Sequence, residues 1–202
     1  MLNLLQISPN ELFALVAALS FAGLNLYATV AALGLLARVR HLPLPPGLHV
    51  LAAWPVIAAA IALFAIEFFA DQIPVVDLIW NALPTFIRVP VAGLLAYEAT
   101  NQLSPEKQLL ATLLGAVIAL AAHGGKTAAR AAITPSPEPV SNITLSVAED
   151  VLAIGLTWLA TRHPYAAGTL AAILLGIIVI LTRWVIRALI ALFRGAEHEL
   201  AA

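Results

Sequence analysis

The 202-residue chain is 62% hydrophobic and only 10% charged, with 13 prolines, no cysteine and a formal net charge of −1. Ordinary soluble domains carry about 25% charged residues, so this much apolar surface calls for lipid as the solvent. The lack of cysteine excludes disulfides, thiolate metal sites and thiol nucleophiles, and a near-neutral balance offers nucleic acid no basic surface.

Six hydrophobic segments are predicted. The first, Leu12–Leu36, is long enough to cross a bilayer with some tilt. No Lys or Arg precedes it, so it is expected to be a helix of the mature protein rather than a secretory signal. It ends at Arg38, Arg40 and His41, before the turn LPLPPG. The second, Leu51–Phe69, carries Trp54-Pro55 near its start, an interfacial aromatic followed by a proline whose missing N–H costs little in a first turn. It runs into Glu67 and Asp71 and stops before Pro74.

The third segment, about Leu83–Tyr97, reads as short and broken, because Pro84 and Pro90 bracket Arg88. The fourth, Leu109–Ile133, is apolar as far as Ala122 and then carries His123, Lys126 and Arg130. A Pro-rich loop, TPSPEPVSN, follows. The fifth, Ile143–Thr161, contains Glu149-Asp150. The sixth, about Tyr165–Thr182, continues through Arg183, Arg187 and Arg194 as an interfacial extension whose arginines reach the headgroups.

The expected fold is an all-α, polytopic integral membrane helical bundle of about six segments, one transmembrane domain over residues 1–202, with Pro-broken or re-entrant pieces. Three plus three segments invite a 3+3 inverted repeat with halves 12–98 and 107–194. Ala22–Ala32 lies over Ala122–Ala132 without gaps, though the identities are alanine on alanine in an alanine-rich chain.

The charges carry the functional information. With six crossings, Glu67, Asp71, Asp77, Arg88, His123, Lys126, Arg130, Glu138, Glu149 and Asp150 all fall toward one side of the membrane. At a rise of about 1.5 Å per residue, Glu67 lies roughly 24 Å from Leu51 and Lys126 roughly 25 Å from Leu109. Against a hydrocarbon core about 30 Å thick, these groups are inside the bilayer. Glu67 and Asp71 share one helix face at i,i+4, and His123, Lys126 and Arg130 share another at i,i+3,i+7. An unpaired charge in lipid costs several kcal/mol, so the acidic and basic stripes are expected to face each other. Arg88 is a further candidate partner for Asp77 or Glu149. The acids outnumber the bases, which calls for water, protons or a bound cation.

Glu149 and Asp150 are adjacent and must point apart on a helix. SVAED also reads as a capping box, with Ser146 as N-cap and Glu149 three residues on, which would leave TPSPEPVSNITL as a re-entrant loop. His123 is read first as a satisfied interior residue and second as one ligand of a divalent-cation site with Glu67, Asp71 and Asp77. Gly124-Gly125 is read as a close-packing or kink point, and the triplet Asn142-Ile-Thr144 as a chance glycosylation match.

The stretches EFFADQIPVVDLIWNALPTFIRVPVAG, HGGKTAARAAITPSPEPVSN and SVAEDVLAIG resemble a bacterial membrane family catalogued as domain of unknown function 4126, over roughly Leu12–Ile190. The resemblance rests on Glu-x-x-x-Asp-x-Ile-Pro, His-x-x-Lys-x-x-x-Arg and Pro-Glu-Pro-x-Ser-Asn, and it marks Glu138 and Asn142 beside the charges named above. The chain departs from the pattern at Gln72 and Asn81, where relatives carry Lys and Asp. The resemblance implies a membrane fold and no reaction.

The leading expectation is a small transporter or channel in the bacterial inner membrane, moving an ion or small solute past the charge cluster. The alternative is a non-catalytic accessory or scaffold subunit whose charges form a structural ion-pair network. An intramembrane enzyme ranks third, since no nucleophile motif accompanies His123. Cofactor and metal are not read from the sequence. The expected partners are the lipid bilayer, the transported species and further copies of the chain, with no nucleic acid.

Overall fold

The structure, a computed structural model, describes Val16 and residues 20–41, 44–133 and 139–200, except the side chains of 20, 74–85, 130–133, 139–142, 185, 189 and 192–200. The start of the first predicted segment therefore lies outside the described residues. What is described is helical: a 3-10 turn Ser20–Gly23, α1 (Leu26–Val39), a 3-10 helix Pro46–Ala52, α2 (Trp54–Ala70), α3 (Pro74–Ala99), α4 (Pro105–Ile133), α5 (Pro139–Arg162) and α6 (Pro164–Leu200).

The first segment is interrupted rather than continuous. Asn25 is extended (φ −145°, ψ 102°), and its side chain accepts from the Ala28 N–H at 2.9 Å, so α1 starts there with a proper cap. The preceding 3-10 turn lies directly on α4: a Cβ on Gly23 would strike the backbone of Ala119, so only glycine permits this approach. Proline opens α2 in its first turn, and the 3-10 helix before it meets α2 at 68°. Arg38 lies over the Trp54 ring, 5.5 Å from its centre, at the same end.

The third segment corrects its sequence reading. Pro84 and Pro90 lie within one helix, α3, of 26 residues. Proline removes one backbone bond and crowds the preceding turn, but neighbouring helices can re-satisfy the freed groups in a membrane bundle. Helix α3 makes its main packing with α4, the most extensive helix pairing among the described residues. The capping-box reading is also overturned. Helix α5 starts at Pro139, so Ser146 is interior to it and residues 139–145 are helical rather than re-entrant.

Helix α1 packs chiefly on α2 and α5, while α4 packs chiefly on α3 and α6. A two-fold exchange of the halves would turn the α1–α2 pairing into α4–α5, which is slight, so the helix pairing lends the repeat no support.

Among the described residues, α4 (over Pro105–Ala129), α5 (over Ile143–Arg162) and α6 (over Pro164–Ala188) are long and apolar enough to cross a membrane, and the bent pair Pro46–Ala52 with Trp54–Ala70 makes a fourth if it forms one span. The distribution of side chains is inverted relative to a soluble protein. Phe69, Phe86, Val117, Val151 and Ile180 are exposed, whereas Glu67, Arg88 and Lys126 are buried. Such a surface is satisfied by lipid and not by water. Helical hydroxyls follow the same rule. Thr29, Thr100, Thr112, Thr127 and Thr157 each donate to the carbonyl four residues earlier and leave no polar group facing hydrocarbon.

The larger apolar core joins Leu33, Leu44, Leu48, Leu95, Ala99, Ala111, Ala160 and Ala167. It lies at the end of the bundle that holds the loop after α1 and the α3–α4 and α5–α6 turns. Its Ala22 and Leu26 reach the buried charges, which stand toward the other end of α2 and α4.

Candidate functional site

Glu67 and Asp71 close the C-terminal end of α2, where the helix carbonyls already concentrate negative charge. Carboxylates buried there require cations, and α3 and α4 supply them. The Arg88 guanidinium donates to Glu67 Oε1, with both side chains fully buried. Lys126 Nζ lies 3.0 Å from Asp71 Oδ2, 3.4 Å from Glu67 Oε1 and 3.2 Å from Glu149 Oε2. One ammonium thus binds carboxylates from α2 and α5 at once, and it also approaches the Leu24 carbonyl at 3.5 Å.

The adjacent acids of α5 point apart, as helical geometry requires. Glu149 meets Lys126, while Asp150 accepts from Asn25 Nδ2 at 2.8 Å. Ser146 Oγ donates to Asp71 Oδ2 at 3.5 Å. His123 Nδ1 is 3.5 Å from Arg88 Nη1 and accepts from it, because a guanidinium can only donate.

The expected meeting of the acidic and basic stripes is thus observed for Glu67, Asp71 and Lys126, with Glu149 joining them, whereas His123 of the basic stripe lies beside Arg88. One pairing is corrected. Arg88 engages Glu67, not Glu149, because α3 packs beside the end of α2 with Arg88 turned toward it. The side chains of Asp77, Arg130 and Asn142, and the whole of Glu138, lie outside the described residues. Gly125 is a close-packing point, since a Cβ there would meet the Ile178 side chain at 2.5 Å, whereas a Cβ on Gly124 would meet open space. Arg183 and Arg187 are exposed, as headgroup anchors would be, and the Arg194 side chain lies outside the described residues.

Sequence reasoning missed Asn25 as a site residue. The available signal was a lone amide inside an apolar segment, which in lipid needs a polar partner. Ser146 was legible as polar but assigned to the wrong role.

Among the described residues, four buried carboxylates (Glu67, Asp71, Glu149, Asp150) accompany a buried arginine and a buried lysine (Arg88, Lys126). Glu67 Oε2 and Arg88 Nε make no hydrogen bond among these residues. No three His, Cys, Asp or Glu groups among them converge as metal ligands. The arrangement can hold a proton or a monovalent cation at its carboxylates, Glu67 Oε2 included, with Lys126 as a tethered competitor. A cavity reaches the cluster at Lys126 and Glu149.

Fold and cluster together define an all-α membrane protein with a buried, carboxylate-rich charge network. The chain belongs to the family described as Domain of unknown function (DUF4126), whose model matches residues 12–184 and so takes in every element of the network. No curated protein and no solved structure matches the chain.

Proposed function

We propose that the protein is a small transporter or channel of the inner membrane, acting on a proton or another small cation through the cluster around Lys126. The observation that carries this reading is the charge imbalance at depth: among the described residues buried carboxylates outnumber buried basic side chains, and Lys126 binds three of them simultaneously. Buried carboxylates in excess take up a proton or cation to approach neutrality. An arriving cation competes with the Lys126 ammonium for Asp71 and Glu149, and loss of either contact frees the lysine to move. Gly124-Gly125, just before it, is a place where α4 can bend at low cost.

The test is flux of protons and small cations into proteoliposomes containing the full chain. Glu67→Gln and Asp150→Asn are expected to change flux strongly, and undiminished flux in both would end the reading.

A second reading is an accessory subunit in which the same charges only lock helices together. The near-complete burial and close pairing of Arg88 with Glu67 favours it. It predicts that reversing both Asp71 and Lys126 restores a folded protein with no flux before or after, and that the chain co-purifies with a larger complex.

A further inference from the structure

Among the described residues, Lys126 and Glu149 are also the charged side chains lining a cavity of about 460 Å³ between the 3-10 turn, α4, α5 and α6. The rest of its wall is almost wholly apolar, including Phe21, Ala129, Leu152, Ile178, Leu181 and Trp184. Leu152, Leu181 and Trp184 are exposed, so the mouth opens on the apolar flank of α5 and α6, both long and apolar enough to cross a membrane. Gly125 keeps the floor open and lets Ile178 approach. The volume lies within the range of about 300–1,000 Å³ of small-molecule sites, and mostly apolar walls with a few convergent polar groups are their usual chemistry.

The polar end of the cavity belongs to the cluster described above, where carboxylates exceed basic side chains among the described residues. An anionic head would add to that excess, and a neutral one would leave it unchanged. A cationic head reduces it, while the apolar walls cover a hydrocarbon body. The complementary ligand is therefore an amphiphile that is apolar over most of its surface and carries one positive charge.

We propose that this cavity binds lipophilic cations entering sideways from the bilayer, with Glu149 exchanging Lys126 for the ligand's positive group. The proposal rests on the transport reading for its biological sense and names the substrate class of the same site, but its test does not depend on flux. Helix α6 forms the outer wall, and its exposed residues give the ligand an apolar path in from the acyl chains.

The experiment measures binding of tetraphenylphosphonium and tetraphenylborate, a cation and an anion of nearly equal size and greasiness, to the full chain in lipid nanodiscs, against protein-free nanodiscs. Saturable binding of the cation and none of the anion is expected. Glu149→Gln and the cavity-filling Ala129→Phe should each weaken it at least tenfold. Leu152→Trp, at an exposed position that tolerates size, repeats the filling test should Ala129→Phe fail to fold. Equal saturable binding of both ions, no saturable binding of the cation, or binding untouched by a folded filling variant would overturn the proposal. Failure here with flux still sensitive to Glu67→Gln leaves a small-ion site standing. Success here with flux insensitive to Glu67→Gln supports the cavity and removes the transport reading instead.

Discussion

Asn25 and Asp150 are 125 positions apart in the chain, yet the Asn25 amide donates to the Asp150 carboxylate at 2.8 Å, both buried. The other side of the same amide caps α1 through the Ala28 N–H. One side chain thus sets where α1 begins and ties that point to α5. Replacing Asn25 with Leu removes both functions, and the expected cost is about 1–3 kcal/mol for a buried polar group left without its partner, added to about 1 kcal/mol for a lost cap. Asn25→Ser keeps a capping oxygen and should recover part of that. Thermal unfolding of the purified variants in mild detergent checks the order.

Lys126 is the hub, so its removal should be the most damaging single change among the described charges. Lys126→Met leaves Asp71 and Glu149 without their ammonium, and breaking a buried pair from one side costs about 3–5 kcal/mol. Neutralising a partner as well, in Lys126→Met with Asp71→Asn, should be less destabilising than Lys126→Met alone. Stability no better in the double variant would count against direct pairing.

Arg88 and Glu67 form a pair on two helices with no exposed surface on either side chain. Arg88→Lys should not substitute for it, because the ammonium lacks the planar fork that reaches both Glu67 and His123. A double-mutant cycle with Arg88→Met and Glu67→Gln should return a coupling of about 0.5–3 kcal/mol. Additive effects would mean that the two side chains do not meet.

Gly125 faces Ile178 closely enough that any Cβ would collide with it. Gly125→Leu should therefore destabilise by about 1–3 kcal/mol through overpacking, and Ile178→Ala in the same chain should relieve much of it. The matching change at Gly124, Gly124→Ala, meets open space and should be nearly silent or mildly stabilising in the same unfolding assay.

The chain has no cysteine, so single introduced thiols report topology without a background. The apolar core that joins Leu44, Leu48, Ala99, Ala111, Ala160 and Ala167 places the loop after α1, the α3–α4 turn and the α5–α6 turn at one end. Arg40→Cys, Asn101→Cys and His163→Cys should all react with an impermeant maleimide from the same face of the membrane. Labelling of any two from opposite faces would refute this arrangement.

Composition and helical period determined a good deal without any coordinates. The scarcity of charge demanded a lipid-facing surface, and i,i+4 spacing put Glu67 and Asp71 on one face of α2 with opposite charge at the same depth on α4. Both hold because they depend on one helix at a time and on the cost of bare charge in hydrocarbon. Tertiary structure alone decided the rest. Arg88 pairs with Glu67 because rotation and spacing between α2 and α3 choose among several available acids, and no local pattern encodes that choice. Pro84 and Pro90 stay inside one helix because packing against α4 outweighs a local preference to break. The interruption falls at Asn25 because a capped start there brings an otherwise stranded amide to Asp150, a partner that exists only once α1 and α5 have come together.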